Sequence, residues 1–321
     1  MSFPLRSVLA VLLILGGLWI GYRAWSGPAG EVRGTLHTHR IEDAGGGPAH
    51  AVSVWLPPGY DTTGAEKYPV LYVQDGERLF RPEATDGPDW QVDEILSRLI
   101  ATGRLPPLIV VGVHSSERRL REYMPAVPFY LQPDSLRRPL QRRIGRPLTN
   151  EYLQYLYEDV TMFVRQRYHA DPAASRTFIA GQGVGGLCAL YAVAKMPFAF
   201  GGAALFAPDW TPARPGTDTT FVTAYRDYLA GQWGALQSAR FYFDYPAGPT
   251  GRALAPHWGV MASFFRTRGL PNDQWTVREV EGAAPGTPAW DERFEAAVRF
   301  LMDAPAPEPS PFFQPPAPSR E

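Results

Sequence analysis

Strand-like segments alternate with helix-like segments along most of the chain, and this alternation constrains the fold more than any other feature. Two of the strand-like segments, 70–75 and 107–113, are continuous apolar runs, as expected of strands covered on both faces. Because such alternation is typical of a parallel sheet, the sequence predicts an α/β fold with a mostly parallel central sheet and helices on both faces. The predicted strands are 35–41, 50–57, 70–75, 107–113, 176–180, 201–208, 239–245 and 274–280.

Amphipathic or apolar segments of helical length lie between these strands. The stretch 114–149 shows no clear period and is predicted to be irregular, with its arginine-rich part at 135–147 interpreted as a solvated loop. The predicted helices are 90–103, 150–169, 184–196, 219–231, 254–268 and 289–302.

The amino-terminal segment 7–22 contains no charged residue. Its length lies between a signal-peptide core and the about 20 residues that span a bilayer. We therefore predict that residues 1–26 are a signal peptide or an N-terminal membrane anchor. The folded part is expected outside the cytoplasm, either in the periplasm or secreted. If the segment is not cleaved, a periplasmic domain would be anchored to the inner membrane.

The rest of the chain divides by composition. Residues 27–33 are predicted to be a linker and residues 34–303 the folded α/β domain. The stretch 304–321 is rich in proline and is predicted to be a disordered tail.

Composition and motifs argue against several classes of partner. The net charge of −1 gives no general attraction to nucleic acid. The single cysteine, Cys188, excludes an internal disulfide and a cysteine-based metal cluster. No nucleotide-binding or calcium-binding motif is present and the histidine spacing indicates no metal site, so no cofactor is predicted.

Seven segments, in order, resemble one family. They are VWLPPGY, YPVLYVQDGERLF, IVVGVHSSERRLREYMP, YLYEDVTMFVRQRY, FIAGQGVGGLCALYAV, GGAALFAPDW and FYFDY. Together they resemble the putative-esterase branch of the α/β-hydrolases, which includes esterase D and the enterochelin esterases, over about residues 50–303. The resemblance implies the α/β-hydrolase fold and ester hydrolysis by a serine, a histidine and an acid.

All three catalytic positions depart from that pattern. The sequence GQGVG places Gly183 where the family has its nucleophilic serine, and GAAPGTPAW places Pro285 at the histidine position. The stretch 246–258, directly after the FYFDY strand, contains no carboxylate, and Asp244 within the strand is interpreted as a hydrogen-bonding partner of nearby backbone. His257 is interpreted as a partly exposed helix residue and not as a base. The sequence therefore predicts a protein without catalytic residues.

Backbone donors of an oxyanion site survive the loss of side chains. The resemblance implies one N–H from Val184 and a second from Gly76 or Glu77. The side chains predicted near such a pocket are Gln182, His114, Ser115 and Trp210, although core packing is the alternative for Trp210.

Three functions remain open on the sequence. The first is an exported pseudo-esterase of the bacterial envelope that binds a small acyl or anionic ligand or a protein partner. The second is an active carboxylic-ester hydrolase with a relocated nucleophile, for which a Ser–His pair among His114, Ser115 and Ser116 is one candidate. The third is a structural cell-envelope protein. Membrane attachment through 7–22 and protein binding through the proline-rich tail fit the first and third.

Overall fold

The computed structural model describes residues 34–80, 89–212, 216–281 and 288–302. The predictions for residues 1–33, for Pro285 and for the tail at 304–321 lie outside these described residues. Within them, no helix combines the length and the apolar character that crossing a bilayer requires.

Eight strands form one sheet. In chain order they are β1 (Thr35–Ile41), β2 (His50–Leu56), β3 (Val70–Gln74), β4 (Ile109–Val113), β5 (Thr177–Gln182), β6 (Gly202–Phe206), β7 (Arg240–Pro246) and β8 (Trp275–Val280). Their spatial order is β1-β2-β4-β3-β5-β6-β7-β8. The pairs β1–β2 and β2–β4 are antiparallel and all other pairs are parallel. The predicted fold class, a mostly parallel α/β sheet, is confirmed.

Helices cover both faces of this sheet. They are α1 (Val92–Ala101), α2 (Arg119–Tyr123), α3 (Ala126–Leu131), α4 (Asp134–Ile144), α5 (Thr149–Tyr155), α6 (Met162–Arg167), α7 (Val184–Lys195), α8 (Thr220–Gly231), α9 (Trp233–Leu236), α10 (Gly248–Thr267) and α11 (Pro288–Leu301). Since successive strand residues point to opposite faces, Val70 and Tyr72 enter one buried cluster and Leu71 and Val73 the other. The two-sided core explains why the central strands read as continuous apolar runs.

The stretch 114–149 was predicted to be irregular, and this prediction is wrong. It contains the short helices α2, α3 and α4, and Pro125 and Pro133 stand directly before α3 and α4. In α4, the Asp134 carboxylate pairs with Arg137 and Arg138, three and four residues further on. Most of the arginine-rich segment is therefore helical and not a loop.

The predicted helix at 150–169 is interrupted by a π-helical segment, Leu156–Thr161, which lies between α5 and α6. The Thr161 hydroxyl donates to the Leu156 carbonyl, five residues earlier, at 2.8 Å. Just after α6, the Tyr168 hydroxyl lies 2.6 Å from His39 Nε2 and 3.0 Å from His37 Nδ1. The end of the interrupted helix is thereby tied to the edge strand β1.

A buried ion pair connects the second half of the sheet to α11. Asp244 in β7 is fully buried, and its two carboxylate oxygens each accept a 2.6 Å hydrogen bond from Arg293. The Ala207 N–H also donates to this carboxylate, at 2.8 Å. Burial raises the pKa of Asp244, and the Arg293 guanidinium opposes that shift. The sequence predicted a backbone partner for Asp244, but it gave no sign of Arg293.

We predict that Asp244→Asn lowers the free energy of unfolding by about 3–5 kcal/mol, because it removes the carboxylate charge from a buried ion pair joined by two hydrogen bonds. Urea denaturation followed by circular dichroism measures the change. Asp134→Asn, the same substitution in an exposed ion pair, is expected to leave the urea midpoint unchanged. Equal effects of the two substitutions would show that the buried pair has no special role in stability.

Candidate functional site

The chain turns sharply from β5 into α7 at a single residue, Gly183. Its backbone angles are φ 59° and ψ −121°, which residues with a side chain rarely adopt. The Gly183 N–H donates to the Phe206 carbonyl of the neighbouring strand at 3.0 Å. A Cβ built on Gly183 would have no atom within 4 Å. The turn therefore points its central residue into open space, as a nucleophile elbow does, but presents no oxygen there.

Strand and helix approach each other closely on either side of this turn. A Cβ on Gly181 would lie 2.4 Å from the carbonyl carbon of Gly185, a distance that no side chain tolerates. A Cβ on Gly185 would lie 3.3 Å from Gln74 Cβ and 3.7 Å from Asp75 Oδ2. The start of α7 is thus packed directly against the end of β3.

Val184 is the first residue of α7, so its N–H has no acceptor four residues earlier within the helix. The aligned peptide dipoles also give this helix end a partial positive charge. Gly76 and Glu77, the other predicted donors, begin the 3₁₀ turn Gly76–Arg78 directly after Asp75. The structure therefore brings the segment that follows β3 to the start of α7, where the sequence placed the two backbone donors.

A buried carboxylate lies beside the helix start, and the sequence did not predict its partner. Asp75 is 4% exposed, and its Oδ1 and Oδ2 accept hydrogen bonds from Arg119 at 2.5 and 2.7 Å. The Arg119 guanidinium carbon also lies 5.1 Å from the centre of the Tyr123 ring. Burial, with Asp75 nearby, raises the pKa of Tyr123 well above its usual value. One guanidinium edge thus neutralises Asp75 next to the turn.

Ser115 is held by Glu77 and not by a histidine. Its hydroxyl donates to Glu77 Oε1 at 2.5 Å, and its N–H donates to Oε2 at 2.9 Å. Burial acts to raise the pKa of Glu77, but the two bonds from Ser115 outweigh it and the pKa is lowered. A hydroxyl that donates to a carboxylate is fixed in position, so Ser115 does not form the Ser–His pair considered above.

His114 instead pairs with a serine that the sequence reasoning missed. Ser53 Oγ, in the middle of β2, lies 2.8 Å from His114 Nε2. Ser53 is only 5% exposed, whereas His114 is half-buried. Ser53 lies in β2 and His114 follows β4, the antiparallel neighbour of β2, and nothing in the sequence set Ser53 apart from an ordinary strand serine.

The remaining predicted residues differ in burial. Gln182 is half-buried next to the turn. Trp210 is fully buried, with its ring against Tyr225 and Trp258, and so belongs to the core. Cys188 is also fully buried, and burial raises its thiol pKa.

His257 was predicted to be partly exposed at the start of a helix, and both points are wrong. The helix begins at Gly248, and His257 is fully buried within it. Its Nε2 lies 3.0 Å from the Asp218 carbonyl and its Nδ1 lies 3.3 Å from the Leu254 carbonyl. Across the described ranges, no group of three or more His, Cys, Asp or Glu side chains is placed to hold a metal ion.

With this geometry in place, the comparison with known families is decisive for membership. A family model described as putative esterase matches residues 47–292. The chain belongs to the putative esterase family. Its esterase-like fold agrees with the sheet order and with the turn at Gly183.

Solved structures support the same fold. The ferric enterobactin esterase of Salmonella typhimurium is 17% identical, with a TM-score of 0.61, and the match covers 84% of this chain and 58% of that one. The BES protein of Bacillus cereus is 15% identical, with a TM-score of 0.60, over 83% of this chain and 94% of that one. At these identities the likeness concerns the fold alone.

One curated relative is also similar in sequence. The uncharacterized protein YbbA of Bacillus subtilis (strain 168) is 26% identical over 170 residues. The match covers 53% of this chain and 58% of YbbA, so the chain spans less than two thirds of that relative.

We predict that Gly183→Ala destabilises the protein by about 1–3 kcal/mol, because a side chain at this φ and ψ strains the backbone although space is free. Chemical denaturation measures the change. Gly259→Ala serves as the control, since Gly259 lies exposed within α10 with no atom near its missing Cβ. That substitution should stabilise by about 0.5–1 kcal/mol. A stabilising effect at both positions would contradict the strained turn.

Proposed function

We propose that this member of the putative esterase family is an exported protein that does not hydrolyse esters and acts by binding. The observation that carries the proposal is the residue at the turn. Gly183 has the backbone geometry that holds a nucleophile in an α/β-hydrolase, with open space before it, yet it supplies no hydroxyl. Loss of the serine alone costs about 10⁶ in kcat in subtilisin.

The ligand class follows from the groups that remain around the turn. The N–H groups at the start of α7 can donate hydrogen bonds to a ligand, and this helix end carries a partial positive charge. Arg119, about one third exposed, neutralises the buried Asp75 carboxylate, whose charge would otherwise repel an anion at the turn. These groups favour a carbonyl, carboxylate or phosphate oxygen, and the empty space at Gly183 accommodates the atoms attached to it. We propose a small acyl or anionic ligand.

The cellular setting is proposed from the sequence. The apolar segment 7–22 supports export, with residues 1–26 as signal peptide or membrane anchor. We propose that the folded domain lies outside the cytoplasm and binds its ligand or a protein partner at the cell envelope. The proline-rich tail at 304–321 fits binding of a protein partner.

A second candidate function rests on the Ser53–His114 pair. A serine hydroxyl 2.8 Å from an imidazole is the contact that activates a nucleophile, so the pair favours a hydrolase with a relocated serine. The burial of Ser53 opposes this function, because an acyl carbonyl must reach the oxygen and only 5% of Ser53 is exposed. We therefore rank the binding function first.

For the absence of hydrolysis, we predict that the full chain, purified in a mild detergent, shows no saturable turnover of p-nitrophenyl acetate. It should also show no stoichiometric labelling by a fluorophosphonate probe. The physical reason is the missing hydroxyl at position 183. Ser53→Ala and Ser115→Ala decide any positive result. Labelling that Ser53→Ala abolishes and Ser115→Ala preserves would overturn the proposal in favour of the second candidate.

For binding, we predict that butyrate raises the thermal midpoint of the full chain, whereas 1-butanol at the same concentration does not. Each 1 kcal/mol of ligand stabilisation corresponds to a rise of about 2–4 °C. Gly183→Leu fills the open space and should remove the butyrate effect. Gly259→Leu, the same change on an exposed face of α10, should retain it. An equal response in both variants would show that butyrate binds elsewhere.

A further inference from the structure

A cavity lies beside the start of β2, and none of its lining residues belongs to the turn at Gly183. Its volume is about 240 Å³. Since one water in the liquid takes about 30 Å³, the cavity holds about eight waters or a small organic molecule. Its walls come from the loop after β1, from α2, and from the α5 and π-helical segments; its floor includes His50, Glu122, Tyr152 and Tyr155.

Two ionisable side chains are buried in the floor. His50 is 4% exposed and Glu122 is 3% exposed. The His50 ring stacks on Tyr155, with centroids 5.0 Å apart. His50 Nδ1 lies 2.9 Å from the His114 carbonyl, which only accepts, so this nitrogen carries the proton. In the neutral ring, Nε2 is therefore an acceptor.

The acceptor atoms of this floor do not satisfy one another. His50 Nε2 lies 3.8 Å from Glu122 Oε1, which is too far for a hydrogen bond. Glu122 Oε2 accepts from the Ser116 hydroxyl at 2.7 Å. Within the described part of the chain, Nε2 has no hydrogen-bond partner. A buried nitrogen and a buried carboxylate oxygen thus face one gap, and both need a donor from outside the protein.

The rim adds negative charge. Five carboxylates line the cavity against two guanidiniums, those of Arg118 and Arg146. Arg146 pairs with Glu151, one of the five. Asp43 and Asp159 each accept a hydrogen bond from a neutral backbone N–H, and Glu158 accepts from the neutral Gln154 amide. Their charges are not cancelled by those bonds, so the potential in the cavity favours a cation.

The π-helical segment helps to form this rim. Glu158 and Asp159 both lie within Leu156–Thr161, where the π-helical backbone makes the helix wider. Such widened turns are frequent at functional sites. Here the widening sets two of the carboxylates on the cavity wall.

We propose that this cavity binds the protonated primary amine of a small organic molecule. An ammonium has three donors and no acceptor, which matches a floor of acceptors. One N–H bonds Glu122 Oε1, a second bonds His50 Nε2, and the third faces the carboxylates of the rim. The site is separate from the one at Gly183, so an anionic ligand there and an amine here are independent.

Isothermal titration calorimetry on the full chain tests the proposal with putrescine and, as the uncharged counterpart, 1,4-butanediol. We expect saturable binding of putrescine and no binding of the diol. Glu122→Gln should weaken putrescine binding by about tenfold or more, because it removes a charged acceptor. The exposed rim variant Glu158→Gln should weaken it by about threefold through charge alone.

Two matched variants locate the effect. Glu279→Gln is the same change at an exposed position in β8 and should leave putrescine affinity unchanged. Gly183→Leu should also leave it unchanged, which separates this site from the proposed acyl or anion site. Near-ultraviolet circular dichroism shows whether Glu122→Gln folds. If it does not fold, the putrescine affinity of Glu158→Gln tests the proposal instead. Absent or diol-like binding of putrescine, or equal affinity in Glu158→Gln and Glu279→Gln, overturns the proposal.

Discussion

A strand can pass directly into a helix only if the backbone reverses within one residue, and Gly183 is that residue here. Its positive φ lets β5 end and α7 begin without a loop, and Gly181 and Gly185 allow the two elements to touch. The contact places the helix start against Asp75 at the end of β3. The whole candidate site is therefore fixed by backbone geometry, which persists although no catalytic side chain stands on the turn.

Buried carboxylates around this edge of the sheet are neutralised by arginine side chains. Asp75 is matched by Arg119, and Asp244 is matched by Arg293, in each case by two short hydrogen bonds. Because a lone buried carboxylate is costly, the pairs restrain α2 and α11 relative to the strands that carry the acids. Asp244 is thus committed to a structural contact, and both ring nitrogens of the buried His257 lie against backbone carbonyls.

The sequence predicted the sheet well because strands buried on both faces are continuous apolar runs bounded by turns. It failed over 114–149, because α2 has only five residues and because α3 and α4 contain and follow prolines, so that no period stands out. At the site, the turn around Gly183 was readable from glycine spacing. The partners Arg119, Ser53 and Arg293 were not, since they join positions 44, 61 and 49 residues apart and leave no local pattern.

The widened turn at Leu156–Thr161 also determines the direction in which the side chains that follow it along the same helix point. Each residue of a regular helix advances the side-chain direction by about 100°. Removal of one residue from this turn would therefore rotate α6 as a unit, and with it Tyr168, whose hydroxyl meets His37 and His39. The edge strand β1 would lose that anchor. The one extra residue in the widened turn thus lets Tyr168, after the end of the helix, face β1.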